Sequence, residues 1–105
     1  MVITPKTLPN GFEYLEIRNR SATAKIALQG AHLFHYERIG EAPLLWVSGA
    51  ASFQNGEAIR GGVPLCWPWF GVPRHDAALP QHGFARTALF EWIDSHETDH
   101  ATSLT

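Results

Sequence analysis

The 105-residue sequence has a single cysteine, Cys66, so no intramolecular disulfide can staple it. It lacks an apolar stretch long enough to cross a membrane as a helix, and its N-terminus lacks the basic start and apolar run of an export signal. A reducing cytoplasm is the expected setting. Neither sign of charge is in excess: ten acidic and eight basic residues give a formal net charge of -2. Without a run of like charge the chain carries no electrostatic footprint for nucleic acid or a membrane surface. Helical periodicity is missing as well, since no window places apolar residues at helical spacing over three turns.

What remains is 45% hydrophobic and only 17% charged, enough for one small globular domain with a modest core and too apolar for disorder. Short segments rich in β-branched and aromatic residues alternate with Gly, Asn and Pro, which predicts a predominantly β fold. Phe12 to Arg18 forms a first strand after the Asn10-Gly11 turn signal. Ala22 to Leu28 forms a second after Asn19-Arg20-Ser21, with Ala24, Ile26 and Leu28 on one face. Ala31 to Ile39 resumes as a third strand after Gln29-Gly30, and Leu44 to Val47 gives a short fourth. Connections this short imply antiparallel neighbours.

From Ser48 to Gln81 five glycines and four prolines exclude a continuous strand or helix, while Phe53, Trp67, Trp69 and Phe70 argue for an ordered, functional loop. Leu89 to Ile93 reads as a strand again, and Ala101 to Thr105 as the opening of a further strand with no partner after it.

The densest chemistry lies in the segment from Ala58 to Gly71. Arg60 is followed by Gly61 and Gly62: a guanidinium offers a planar fork of donors to phosphate oxygens, and glycines let backbone N–H groups approach the same anion. The plainer alternative is a structural ion pair between Arg60 and a carboxylate such as Glu57, with glycines that only turn the chain. Trp67 and Trp69 flank Pro68, and in an extended segment both rings point to one side, where a sugar ring can stack; burial in the core is the alternative.

A second segment brings Gln81, His82 and Arg86 onto one Pro- and Gly-bounded loop. An imidazole can both donate and accept a hydrogen bond and can carry a proton, so His82 suits hydrogen bonding to a hydroxyl or proton transfer, against a merely structural histidine. Cys66, between Leu65 and Trp67, reads as core. No metal site is expected. His32 and His35 are three apart on a strand and so face opposite sides, which spoils chelation; His75-Asp76 and His96 with His100 are isolated pairs, and no third ligand stands at a recognisable spacing.

Taken together, Gln29 to Leu33, Leu44 to Ser48, Ala58 to Gly71 and Gln81 to Arg86 resemble successive landmarks of the glucose-6-phosphate 1-epimerase family within the aldose 1-epimerase-like superfamily. The resemblance implies an antiparallel β-sandwich of the galactose-mutarotase type that acts, without a cofactor, on the anomeric carbon of a hexose 6-phosphate. It implies that Arg60, Gln81 and Arg86 belong to the sugar-phosphate site, with His82 in the same pocket. In the family the catalytic histidine and glutamate lie in the C-terminal portion and members are well over twice as long. The expectation is therefore an N-terminal portion of the fold, residues 1–105, that carries binding residues and is inactive alone.

Two readings from other classes compete: a non-catalytic phosphosugar-binding module, and a small β-domain that self-associates through unpaired strand edges.

Overall fold

Asn10 and Asn19 each close a turn with their own side chain, and these two turns set the register of the N-terminal sheet. Asn10 Oδ1 accepts the Phe12 N–H at 3.1 Å while Gly11 takes a left-handed φ of 87°. Asn19 Oδ1 accepts the N–H groups of Ser21 and Ala22, both at 2.9 Å. The computed structural model describes residues 2–74, 76 and 78–105. Around the two turns run β1 (Val2–Thr7), β2 (Glu13–Arg18), β3 (Ala22–Ala27) and β4 (His32–Arg38), an antiparallel meander in chain order. A 3₁₀ turn (Ala85–Thr87) and a hairpin of β5 (Ser95–Glu97) and β6 (Thr102–Leu104) follow. Among the described residues no helix is long and apolar enough to cross a membrane.

The register sorts the side chains into two faces. Ile17, Ala24 and Tyr36 are cross-strand partners, as are Leu15, Ile26 and Leu33, so one face is apolar. The C-terminal segment lies over part of it: Leu15 and Ile26 line a small apolar cavity with Phe90, Trp92 and Leu104. Asn19 Nδ2–H donates to Thr102 Oγ1 at 3.2 Å and ties the hairpin to the sheet. On the other side Phe12, Ala27 and Ile59 form the buried core, with Leu8, Phe34 and Phe53 packed around them. Phe53 meets Phe12 edge-on at 5.9 Å and Phe34 at 5.1 Å. Phe53 and Ile59 come from the long loop, so this cluster anchors the loop to the sheet.

The antiparallel all-β expectation holds, with differences in detail. β1 lies outside the expected strands: it is an edge strand containing Pro5 and Lys6, with no apolar alternation to advertise it. Leu8 N–H donates to Phe12 O, and counting back along the register makes Pro5–Leu15 a non-hydrogen-bonded pair. The Pro5 nitrogen thus faces the free edge, where a missing N–H breaks no ladder bond.

The expected strand at Leu44 to Val47 is a single bridge, Val47 to Gly61, because the main-chain bonds of that run go to two different segments, Leu44 N–H to Tyr36 O and Trp46 O from Gly62 N–H, and no ladder extends along either. Leu89 to Ile93 likewise makes one bridge, Leu89 to Gln29, and then crosses the sheet irregularly. The segment expected to end unpartnered is paired: β6 forms a hairpin with β5. Between β3 and β4 the register slips so that Phe34 has no partner, and this bulge interrupts the alternation on which opposite faces for His32 and His35 were expected.

Phe12 is fully buried and Ile93 is 70% exposed, which gives a matched pair of truncations. Phe12→Ala is expected to lower the unfolding free energy by about 3–5 kcal/mol in urea titrations, and Ile93→Ala to change it by about 0.5 kcal/mol or less.

Candidate functional site

Gln29, at the end of β3, is 1% exposed and both ends of its amide are used. Its Nε2–H donates to Glu57 O at 2.7 Å and its Oε1 accepts the Gly56 N–H at 2.6 Å. One buried side chain thus pins the loop just before Arg60, where an unmatched amide would cost about 1–3 kcal/mol per group.

The next residues form a seam of three backbones. Gly61 and Gly62 have φ of 123° and 68°, and a Cβ on Gly61 would overlap the Trp46 carbonyl oxygen and Val47 Cα. A Cβ on Gly62 would overlap the Leu33 carbonyl oxygen and lie 3.1 Å from His32 Nε2. Close approach of chains, not only turning, is what these glycines supply. Ser48 N–H donates to Arg60 O, Gly62 N–H to Trp46 O and Val63 N–H to Leu33 O, at 2.8–2.9 Å. The Gly62 amide is therefore committed to Trp46, which corrects the expectation that it would face an anion.

Across the cleft a second seam holds Arg86. A Cβ on Gly30 would come within 2.8 Å of Arg86 O, and Gly30 N–H donates to Ala88 O at 2.7 Å. The Phe84 and Ala85 N–H groups both donate to Trp67 O, which lies against the bare Cα of Gly83 where a Cβ would overlap it.

The two seams bound a cleft of about 830 Å³ that Arg60, Gln81, His82 and Arg86 all line. Arg86 Nη2–H donates to Gln81 O at 2.8 Å, and its Nε–H is buried with no partner among the described residues. Neither guanidinium has a carboxylate partner: the ion pairs among the described residues are Arg18–Glu16 and Arg38–Glu41, both elsewhere. The Arg60–Glu57 ion pair is thus not formed, although Glu57 also lines the cleft.

His82 stands at a φ of 64°, unusual for a residue with a side chain, and is held there twice by Gly71. Its N–H donates to Gly71 O at 2.9 Å, and its Nδ1 accepts the Gly71 N–H at 2.8 Å. That second bond places the ring proton on Nε2, so toward any hydroxyl His82 is a donor. Phe70 packs on the same ring at 4.7 Å.

Trp67 and Trp69 do not line this cleft. Trp67 is exposed, while Trp69 donates its Nε1–H to Pro80 O and meets Phe84 edge-on at 5.1 Å, packing its own loop. The indole on the cleft is Trp46, 73% exposed, and the one sequence signal for it is its place in the landmark Leu44 to Ser48. Cys66, expected in the core, is half-buried and lines the cleft, because its apolar neighbours Leu65 and Trp67 are themselves exposed. Among the described residues no three His, Cys, Asp or Glu side chains converge as metal ligands; His75 lies outside the described residues.

His32 is the functional candidate that its spacing did not suggest. It is 0% exposed, and its Nε2–H donates to Gly61 O at 2.6 Å. Burial holds its pKa below 6.5; the Gly61 carbonyl opposes that shift and the nearby Arg86 charge adds to it. Between the lowered folded value and 6.5 the unfolded chain binds more protons than the folded one, so stability falls as pH drops through 6.5. The expected slope from this residue reaches at most about 1.4 kcal/mol per pH unit, and His32→Gln removes it; urea midpoints from about pH 7.5 to pH 5 for both proteins check this.

Comparison with known proteins places this geometry in context. The family model for aldose 1-epimerase matches residues 13–105. A protein of Escherichia coli K12 named "Putative glucose-6-phosphate 1-epimerase" is 50% identical over 82 residues, 78% of this chain and 28% of its own length. The protein of the same name from Salmonella typhimurium is 48% identical over the same span. The crystal structure of "a putative mutarotase (YeaD)" from Salmonella typhimurium superposes with a TM-score of 0.90 at 38% identity, over 98% of this chain and 34% of that one. The chain thus spans less than a third of the length of the curated relatives it matches. With 93 of its 105 residues inside the family model and the mutarotase fold over nearly its whole length, the chain belongs to the aldose 1-epimerase family.

Proposed function

We propose that residues 1–105 are the N-terminal portion of a single mutarotase-like β-sandwich domain that interconverts the α and β anomers of a hexose 6-phosphate, and that they supply the wall of the site that holds the substrate. The observation that carries this reading is the pair of guanidiniums, Arg60 and Arg86, on one cleft with no carboxylate partner among the described residues. Two fixed positive charges without counterions suit a phosphate dianion, and the planar fork of each can meet two of its oxygens. The names of the relatives point to the same substrate class.

In this reading Arg86 uses the N–H groups that its bond to Gln81 O leaves free, and Arg60 reaches the phosphate from the opposite seam. Gln81 and the Nε2–H of His82 donate to sugar hydroxyls, and the exposed face of Trp46 offers an apolar surface to the ring. Mutarotation needs a proton delivered to the ring oxygen and one removed from the anomeric hydroxyl. The bond between C1 and the ring oxygen breaks as the anomeric hydroxyl becomes the aldehyde carbonyl, and it re-forms when, after rotation about C1–C2, the C5 hydroxyl adds to the other face of that carbonyl and both protons are returned. No atom is lost or gained, and no cofactor is required. The acid and base of that exchange lie in the part of the domain beyond this chain, so the chain alone binds and does not turn over.

Arg60→Ala and Arg86→Ala are expected to weaken glucose 6-phosphate binding about 10- to 100-fold each, with little change for free glucose, since a hydrogen bond to a charged group is worth about 1.5–3 kcal/mol. Calorimetric titration of both sugars decides it, and equal losses for both contradict the phosphate assignment. Two-dimensional exchange NMR of the glucose 6-phosphate anomers with the chain tests the second part. Unchanged exchange supports a binding wall, and acceleration moves the acid and base into these residues.

A further inference from the structure

We infer that His32 is a positioning residue of the phosphate site: its imidazole, through the Nε2–H bond to the Gly61 carbonyl, fixes the Gly61–Gly62 peptide that follows Arg60 and so holds Arg60 at the cleft. The inference rests on the reading of Arg60 as a phosphate ligand, and on geometry independent of it.

His32 opens β4 and is sealed from solvent. Among the described residues four hydrogen bonds hold the peptides from Arg60 to Val63, and three of them run from backbone to backbone. The fourth comes from His32, so it is the one bond of this seam that a side-chain substitution can remove. At 2.6 Å it is also the shortest of the four, and the bare Cα of Gly62, whose missing Cβ would lie 3.1 Å from Nε2, leaves the room for it.

A residue that only filled space here would be better apolar. Donation from Nε2 leaves Nδ1 as a buried acceptor, and Nδ1 has no partner among the described residues. Leaving such an atom unmatched costs stability. A leucine would avoid that cost and would abandon the Gly61 carbonyl. An imidazole here favours the position of the Gly61–Gly62 peptide beside Arg60 over the stability of the core, the kind of local conflict that accompanies functional sites. The same ring lies in the field of Arg86, the second cationic residue of the cleft.

Two variants separate positioning from filling. His32→Leu keeps the volume and loses the donor; His32→Gln keeps an amide N–H at about the reach of Nε2. On the 105-residue chain the first readout needs no ligand: backbone amide exchange at Gly62 and Ser48, the donors on either side of the seam. His32→Leu is expected to accelerate both by about tenfold or more while His32→Gln stays near the parent. Equal rates in all three proteins overturn the inference.

The second readout is titration with glucose 6-phosphate. An approximately tenfold loss in His32→Leu that His32→Gln restores supports positioning, and no loss in His32→Leu overturns it. If the parent chain binds no phosphosugar while the exchange pattern holds, the substrate assignment fails and the structural role of His32 stands. Should His32→Leu not fold, imidazole ¹⁵N shifts of the parent decide. A protonated, slowly exchanging Nε2 supports the bond to Gly61, and an Nδ1–H tautomer overturns it.

Discussion

Three stretches of main chain meet at Gly61 and Gly62 more closely than any side chain would allow, and the rest of the site is arranged around that meeting. Trp46 and Val47 press on one glycine, Leu33 and Phe34 on the other, and hydrogen bonds in both directions lock the layers. The contact joins the end of the sheet to the loop that follows Leu44, so Arg60 projects from a braced backbone despite lying in a segment without regular structure. Glycine does the same work on the opposite side, where Gly30 admits the Arg86 main chain and Gly83 admits the Trp67 carbonyl. The cleft is the space left between two such seams.

Buried polar side chains complete what the glycines begin. Gln29 fastens the peptides of Gly56 and Glu57, and His32 fastens Gly61, so two residues near the end of β3 and the start of β4 govern a loop about thirty residues further on. Aromatic packing of Phe12, Phe34 and Phe53 supplies the non-directional share of the same attachment. Directional and non-directional contacts thus agree on one loop placement, which is the consistency that a unique fold requires.

Much of this was legible before any coordinates, for reasons that differ from residue to residue. The turns at Asn10 and Asn19 rest on side chains that bond their own neighbours, and β2 to β4 alternate visibly, so both could be read locally. β1 could not: an edge strand with a proline and a lysine has no face pattern to read. Leu89 to Ile93 misled because covering a sheet and joining its ladder need the same apolar residues. Spacing brought Gln81, His82 and Arg86 to one loop, but their convergence with Arg60 depended on the family resemblance, since no local rule links segments twenty residues apart. Gln29 and His32 were silent because their partners lie 27 to 29 residues away in sequence.

Pro5, a small feature of the first strand, bears on how the molecule behaves in a crowd. An outermost strand offers its unused amides as a template on which another chain can grow. Here the template has a tooth missing at Pro5, and the neighbouring Lys6 puts a positive charge on the same outermost strand. The free border of the sheet is thereby made a poor seed for fibrils without the cost of covering it, a protection built from two residues and no extra structure.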